Sequence, residues 1–290
     1  MELLNKIKMI LKAPMSLIYS CVNKAPEILN KEETIEALKN KSIARYGDGE
    51  LYIMLGLGIK FQEYDKKLSE RLKEVAVSNN DNCLIAIPRV FTAETRSELT
   101  DITNNWWKKN LLTTRGYWYK FFGNKVCGDS FISRFYLESK DKSKEIIEKY
   151  ISTMKKVWDG KDIVFVEGNR TRMGMGNDLF SNAKSIKRIL GPGANAFSKY
   201  DQIYEAVINN TTKDELIICA LGPTATILAY DLAKTGRHVL DLGHIDIEYE
   251  WFLKSAQKEE NIKGKDTSES GEAFIEDASL IPDNVICEVK

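Results

Sequence analysis

Two carboxylates one residue apart, Asp48-Gly49-Glu50, follow an apolar stretch, Ser42-Ile43-Ala44, that ends in Arg45-Tyr46-Gly47. The pattern predicts a strand running into a tight acidic loop. In an extended segment residues i and i+2 point the same way, so Asp48 and Glu50 can present their oxygens to one point. Two such ligands, completed by water, suit a hard cation, Mg²⁺ or Mn²⁺, which in turn can hold a diphosphate. The flanking glycines permit the turn and the close approach of a ligand. Asp-Gly is also among the commonest turn dipeptides, and alone these residues read first as a surface turn.

Three further loops carry chemistry. Residues 168–178 hold three glycines with Arg170, Thr171, Arg172, Gly174, Gly176 and Asn177. Their arginines can clamp a diphosphate in bidentate fashion, or else belong to a plain surface loop. Gly222-Pro223-Thr224 opens a helix whose free N–H groups suit a phosphate, with an ordinary helix cap as the competing reading. In Gly243-His244-Ile245-Asp246, His244 can bind a phosphate or act as acid or base, while Asp246 can serve as base or simply complement a helix dipole. Gly174-x-Gly176 falls short of a dinucleotide fingerprint, and no P-loop, nucleophile elbow or HExxH pattern is present.

The elements that must position these loops follow from the pattern. Continuous apolar runs at 83–87, 162–167, 215–221 and 238–242, with a strand-like run at 185–190, alternate with helical segments at 32–40, 65–78, 97–112, 142–158, 200–209 and 222–234. This alternation predicts an α/β, Rossmann-like, mainly parallel sheet with helices on both faces. In such sheets ligands bind beyond the carboxyl ends of the strands, where all four loops fall, and there Asp48 and Glu50 become the expected metal anchor. The aromatic run at 115–122 reads as core. The division expected is an N-terminal helical segment, 1–31, a single domain, 32–258, and a polar, loosely docked tail, 259–290.

The 290 residues carry 42 basic and 42 acidic side chains, so no global field for nucleic acid exists. Five scattered cysteines without a CxxC pair argue for a reducing, cytoplasmic setting, and two histidines are too few for a His-rich zinc site. Residues 1–22 mix apolar residues with Lys6, Lys8 and Lys12; they read either as a helix packed on the domain or as a basic amphipathic helix on the inner face of an anionic membrane.

Five motifs in order, SIARYGDGE, GDSFISRFY, IVFVEGNRTRMGMGNDLFSNAKSIKRIL, ALGPTATILAYDL and DLGHIDIEYEW, resemble the bacterial GT-D-type glycosyltransferases, over about residues 32–265. The resemblance implies a single Rossmann-like domain, a UDP-hexose donor, and a divalent metal held by a D-x-E motif, here Asp48-Gly49-Glu50. It implies a glycan acceptor on a surface protein, polysaccharide or lipid-linked precursor. Charge stabilisation on the leaving group would come from Arg45, Arg170 or Arg172, and if configuration is inverted His244 or Asp246 would serve as base. Two positions depart from the family: Asn169 replaces an acidic residue, and Gly264-Lys265-Asp266-Thr267-Ser268-Glu269 stands where G-K-Y-x-N-E is usual. The alternatives are a non-catalytic nucleotide- or sugar-phosphate-binding protein and a Rossmann-like methyltransferase. A homo-oligomer is compatible with the sequence.

Overall fold

Alternate side chains of the central strands serve two different cores, which fixes the architecture. The strands are β1 (Glu27–Ile28), β2 (Ser42–Arg45), β3 (Cys83–Ile87), β4 (Val126–Asp129), β5 (Asp162–Gly168), β6 (Ser185–Gly191), β7 (Leu216–Ala220), β8 (His238–Asp241) and β9 (Val285–Glu288). On β5, Val164 and Val166 face one cluster, and Ile163 and Phe165 face the other; β7 divides Ile217 and Cys219 from Leu216 and Ile218 in the same way. The computed structural model describes residues 2–267 and 273–290.

The helices are α1 (Glu2–Val22), α2 (Lys31–Ala37), α3 (Asp48–Met54), α4 (Lys66–Val77), α5 (Ala93–Ser97), α6 (Asp101–Phe122), α7 (Lys144–Trp158), α8 (Tyr200–Asn210), α9 (Pro223–Lys234) and α10 (Ile245–Leu253). Side chains of α4, α6, α8 and α9 fill the first cluster, and those of α2, α7 and α10 the second. On α7 the buried residues Ile147, Ile151, Met154 and Val157 recur at helical spacing, and each contributes roughly 1.5–3 kcal/mol by leaving water.

The nine strands pair in parallel in the order β1-β4-β3-β2-β8-β7-β5-β6-β9. From β2 the chain winds outward through β3 and β4; the later strands build out from β8 on the other side. The order therefore reverses between β2 and β8, where a doubly wound sheet opens a crevice.

Several local expectations change. The Asp48-Gly49-Glu50 stretch is the first turn of α3, not an extended loop, because Glu50 folds back to accept the Gly47 N–H at 2.6 Å and so caps the helix. The aromatic run belongs to α6, with Tyr117, Trp118 and Phe122 in the core as expected. The polar stretch after Gly128 is the end of β4 followed by a 3₁₀ turn, Ser130–Ser133, in which buried Asp129 accepts the Phe131 N–H. Beyond residue 258 the described residues are held to the domain at two places rather than loosely docked: β9 extends the sheet beside β6, and Lys265 is fully buried. The Ser268-Glu269 end of the departing motif lies outside the described residues.

Burial pushes the Asp129 carboxyl from 3.8 up to about 6, against the attraction of Lys31 and Arg89. A carboxyl raised on folding contributes stability that is fully present below its unfolded pKa and is lost as the pH rises through its folded one. Asp129→Asn is therefore expected to stabilise the protein by about 1–3 kcal/mol at pH 8 and by little at pH 4. Urea denaturation at the two pH values measures the difference; equal midpoint shifts would contradict it.

Candidate active site

The crevice at the β2–β8 switch point is held by one arginine. Arg45, the last residue of β2, donates from Nε to the Asp241 carbonyl and from Nη2 to Asp241 Oδ1 at 3.2 Å and to the Gly243 carbonyl at 3.0 Å. Its Nη1 reaches Ser133 Oγ and the Ser130 carbonyl. All five guanidinium donors thus go to protein acceptors. Arg45 ties β2, β8, the turn after β4 and the start of α10 into one rim. Thr226 of α9 joins it by donating to the Arg45 carbonyl at 2.8 Å.

Above this rim lies a cleft of about 630 Å³. Arg45, Asp48, Glu50, Thr171, Gly222, Pro223 and His244 all line it, so four separate loops converge as a doubly wound sheet dictates. Asp48 and Glu50 sit at positions N1 and N3 of α3, both half-buried. Desolvation pushes the Glu50 carboxyl up to about 7, opposed by its backbone hydrogen bonds and reinforced by the charges of Asp241 and Asp48. Near neutral pH the Glu50 carboxyl is thus held partly protonated, and a cation placed beside it would favour the ionised form. Among the described residues, no group of three or more His, Cys, Asp and Glu is placed to hold a metal ion. A cation here would draw most of its ligands from water and a bound diphosphate, a donor set that suits Mg²⁺ or Mn²⁺.

Gly222 is shaped by close approach. Its φ of 54° and ψ of −142° suit only glycine, and an added Cβ would lie 2.8 Å from the Phe61 ring. The loop bearing Phe61 is fixed by Asn195, which donates its N–H to the Phe61 carbonyl at 2.9 Å and accepts the Glu63 N–H at 2.7 Å. Gly222→Ala is expected to displace Phe61 and cost about 10²-fold in kcat/KM for a reaction run in this cleft, since such misplacement spoils the bound geometry. Steady-state kinetics with a melting curve checks this; unchanged kinetics would show that the 59–63 loop does not shape the site.

His244 caps α10 in the left-handed region, at φ 77°. Arg134 Nη2 lies 3.1 Å from its Nε2. Arginine has no acceptor, so Nε2 accepts and carries no proton while this contact is made.

The other expected residues lie elsewhere. Asp246 is buried and paired with Lys265, whose Nζ is 2.6 Å from Asp246 Oδ2 and 2.8 Å from Glu250 Oε1. Asp246 Oδ1 also accepts from the Gly174 N–H and from Asn177 Nδ2. Gly174 and Asn177 therefore anchor their loop to α10. Arg172 is buried, bonded to the Gly264 carbonyl at 2.9 Å and to Glu276 at 2.5 Å, and it fastens the C-terminal segment. Arg170 lies over the Phe274 ring, and the exposed Gly176 has Leu280 beside it. Thr224 is fully buried, and its hydroxyl lacks a hydrogen-bond partner among the described residues. None of these residues lines the cleft.

Sequence reasoning assigned no role to Trp106, Trp107, Arg134 or Asp266, all of which line the cleft. Trp106 packs edge-on against Trp107 at 4.9 Å, and Asp266 enters from the C-terminal segment by donating its N–H to the Arg170 carbonyl at 2.8 Å. The sequence signal for Trp106 was a tryptophan pair on a polar helix; Asp266 gave none.

The glycosyltransferase GT-D fold family model matches residues 43–270. A probable glycosyl transferase, Gly, from Streptococcus gordonii is 39% identical over 245 residues, covering 83% of this chain and 35% of that protein. Glycosyltransferase GlyD from Streptococcus pneumoniae is 34% identical over 255 residues, covering 87% of this chain and 30% of its own length. The chain thus spans about a third of these curated relatives. A solved structure described as a new glycosyltransferase from Streptococcus sanguinis superposes with a TM-score of 0.85 at 34% identity, covering 91% of this chain and all of that one. Another, described as a highly conserved domain of unknown function with a distinct glycosyltransferase fold, gives 0.84 at 32% identity and covers 99% of this chain. The chain belongs to the GT-D glycosyltransferase family.

Proposed function

We propose that the cleft transfers a hexosyl group from a UDP-sugar to a hydroxyl of a glycan acceptor, on a surface protein, polysaccharide or lipid-linked precursor. The observation that carries this reading is the convergence of Asp48 and Glu50 with the Gly222-Pro223 turn and His244 at the β2–β8 switch point. In the reaction an acceptor oxygen bonds to the anomeric carbon, the bond from that carbon to the diphosphate breaks, and UDP leaves with the electron pair. The acceptor proton must pass to a base. His244 borders the cleft and is the candidate there once Arg134 releases its Nε2 to the acceptor hydroxyl, whereas Asp246 is committed to Lys265.

Asp48 and Glu50 would hold a divalent cation, Mn²⁺ or Mg²⁺, which supplies positive charge to the leaving diphosphate. Arg45 acts through the rim it holds and positions both strand ends. Trp106 offers a ring face of the kind on which sugars stack.

The test is turnover of a panel of UDP-sugars with and without EDTA. UDP release that stops in EDTA and returns with Mn²⁺ is expected. UDP binding without release under any acceptor would favour a non-catalytic binding protein, and binding of S-adenosylmethionine in its place would favour a methyltransferase.

A further inference from the structure

Helix α1 carries its apolar side chains on the wrong side for a core helix. Ile7, Ile10, Leu11, Leu17, Ile18 and Val22 are exposed, Leu11 by 75%, while the face turned to the protein offers Met9, Ser16 and Tyr19. The orientation is fixed. An added Cβ on Gly116 of α6 would come within 1.7 Å of the Ser16 carbonyl oxygen, so the two helices cross in backbone contact. The Gly116 N–H donates to Ser16 Oγ at 3.0 Å, and the Tyr117 hydroxyl donates to the Lys12 carbonyl at 3.1 Å. Rolling α1 to bury its leucines would break these contacts.

Positive charge gathers beside the apolar stripe in a chain whose formal net charge is zero. Lys8 is exposed on α1, and Lys120 lies 4.3 Å above the Tyr19 ring. Lys73 of α4 is near enough to feel Lys12 and Lys120: its pKa is lowered first by burial and then by those two charges, against the attraction of Glu70. Among the described residues no helix is long and apolar enough to cross a membrane. An apolar stripe edged by lysines on a helix lying flat against its domain has the chemistry of an interfacial helix.

We propose that the outward face of α1 seats this protein on an anionic lipid surface, with Ile10, Leu11, Leu17 and Ile18 entering the acyl boundary and Lys8, Lys12, Lys73 and Lys120 meeting the headgroups. A second copy of the chain fits less well, because a two-fold contact brings the same positive patch against itself. The inference does not depend on the donor or acceptor. On α6, Trp106 of the cleft stands ten residues from Gly116, about 15 Å along the helix.

The experiment is co-sedimentation of the full chain with vesicles of phosphatidylcholine alone and of phosphatidylcholine with phosphatidylglycerol. Binding to the anionic vesicles, weakened by salt and at least about tenfold weaker to the neutral ones, is expected. The triple variant Leu11→Ser, Leu17→Ser, Ile18→Ser should lose that binding while keeping the native melting temperature and donor turnover in solution. Undiminished binding by this variant, or none by the native chain, overturns the proposal. So does a dimer in light scattering that the same three substitutions dissolve, because the face is then a contact between copies.

Discussion

Asp48→Ala is expected to lower metal-dependent turnover of the UDP-sugar by about 10²–10³-fold, the usual loss when a group that stabilises developing charge is removed. Glu50→Gln should cost a similar factor for a separable reason. The amide oxygen that replaces the carboxylate can still accept the Gly47 N–H and preserve the cap on α3, so a loss there reports the missing charge and not an unravelled helix. Melting curves of both variants should stay close to native, while Mn²⁺ titration shows weakened binding. Full metal-dependent turnover in both would show that these carboxylates are not the metal ligands.

Lys265→Ala is expected to destabilise the protein by about 3–5 kcal/mol, because it strands the carboxylates of Asp246 and Glu250 in a buried site. The melting temperature should fall by roughly 10 °C, given a few degrees per kcal/mol in a chain of this size. Lys265 also pins the segment that delivers Asp266 to the cleft, so kcat/KM should fall in the surviving folded protein. Glu250→Gln added to Lys265→Ala should restore part of the stability, since one stranded charge is gone. A Lys265→Ala protein as stable as the native one would show that the buried cluster contributes nothing net.

The sheet was legible because its strands are continuous apolar runs, which only a two-sided burial tolerates, as at residues 215–221. The loops at strand ends followed from that, and with them the convergence of Asp48, Glu50, Thr171, Gly222 and His244 on one cleft. What sequence could not supply was the direction of individual side chains. Arg45, Arg170 and Arg172 look equivalent, each two residues from a glycine, yet Arg45 spends every donor on the switch point, Arg170 stacks on Phe274, and Arg172 is buried beneath the C-terminal segment. Asp246 resembled a base until its partner, 19 residues later, was in place. The tail read as loose because its polarity is high. Its docking rests on a few buried contacts and on β9, whose four residues carry little periodic signal.

The pairing of β2 with β8 has a consequence for how the protein comes to exist. Arg45 and Asp241, which close the floor of the cleft, are 196 residues apart in the chain. A contact of that span is costly to form early, because the loop between its ends must be closed before the contact can reward it. During synthesis β2, β3 and β4 emerge long before β8, and until β8 arrives one edge of β2 has no partner. The residues of the acidic turn of α3 therefore leave the ribosome well before the strand that completes their site. Catalytic competence is a late event in the life of the chain, and the exposed edge of β2 is the stretch through which a nascent molecule would mispair.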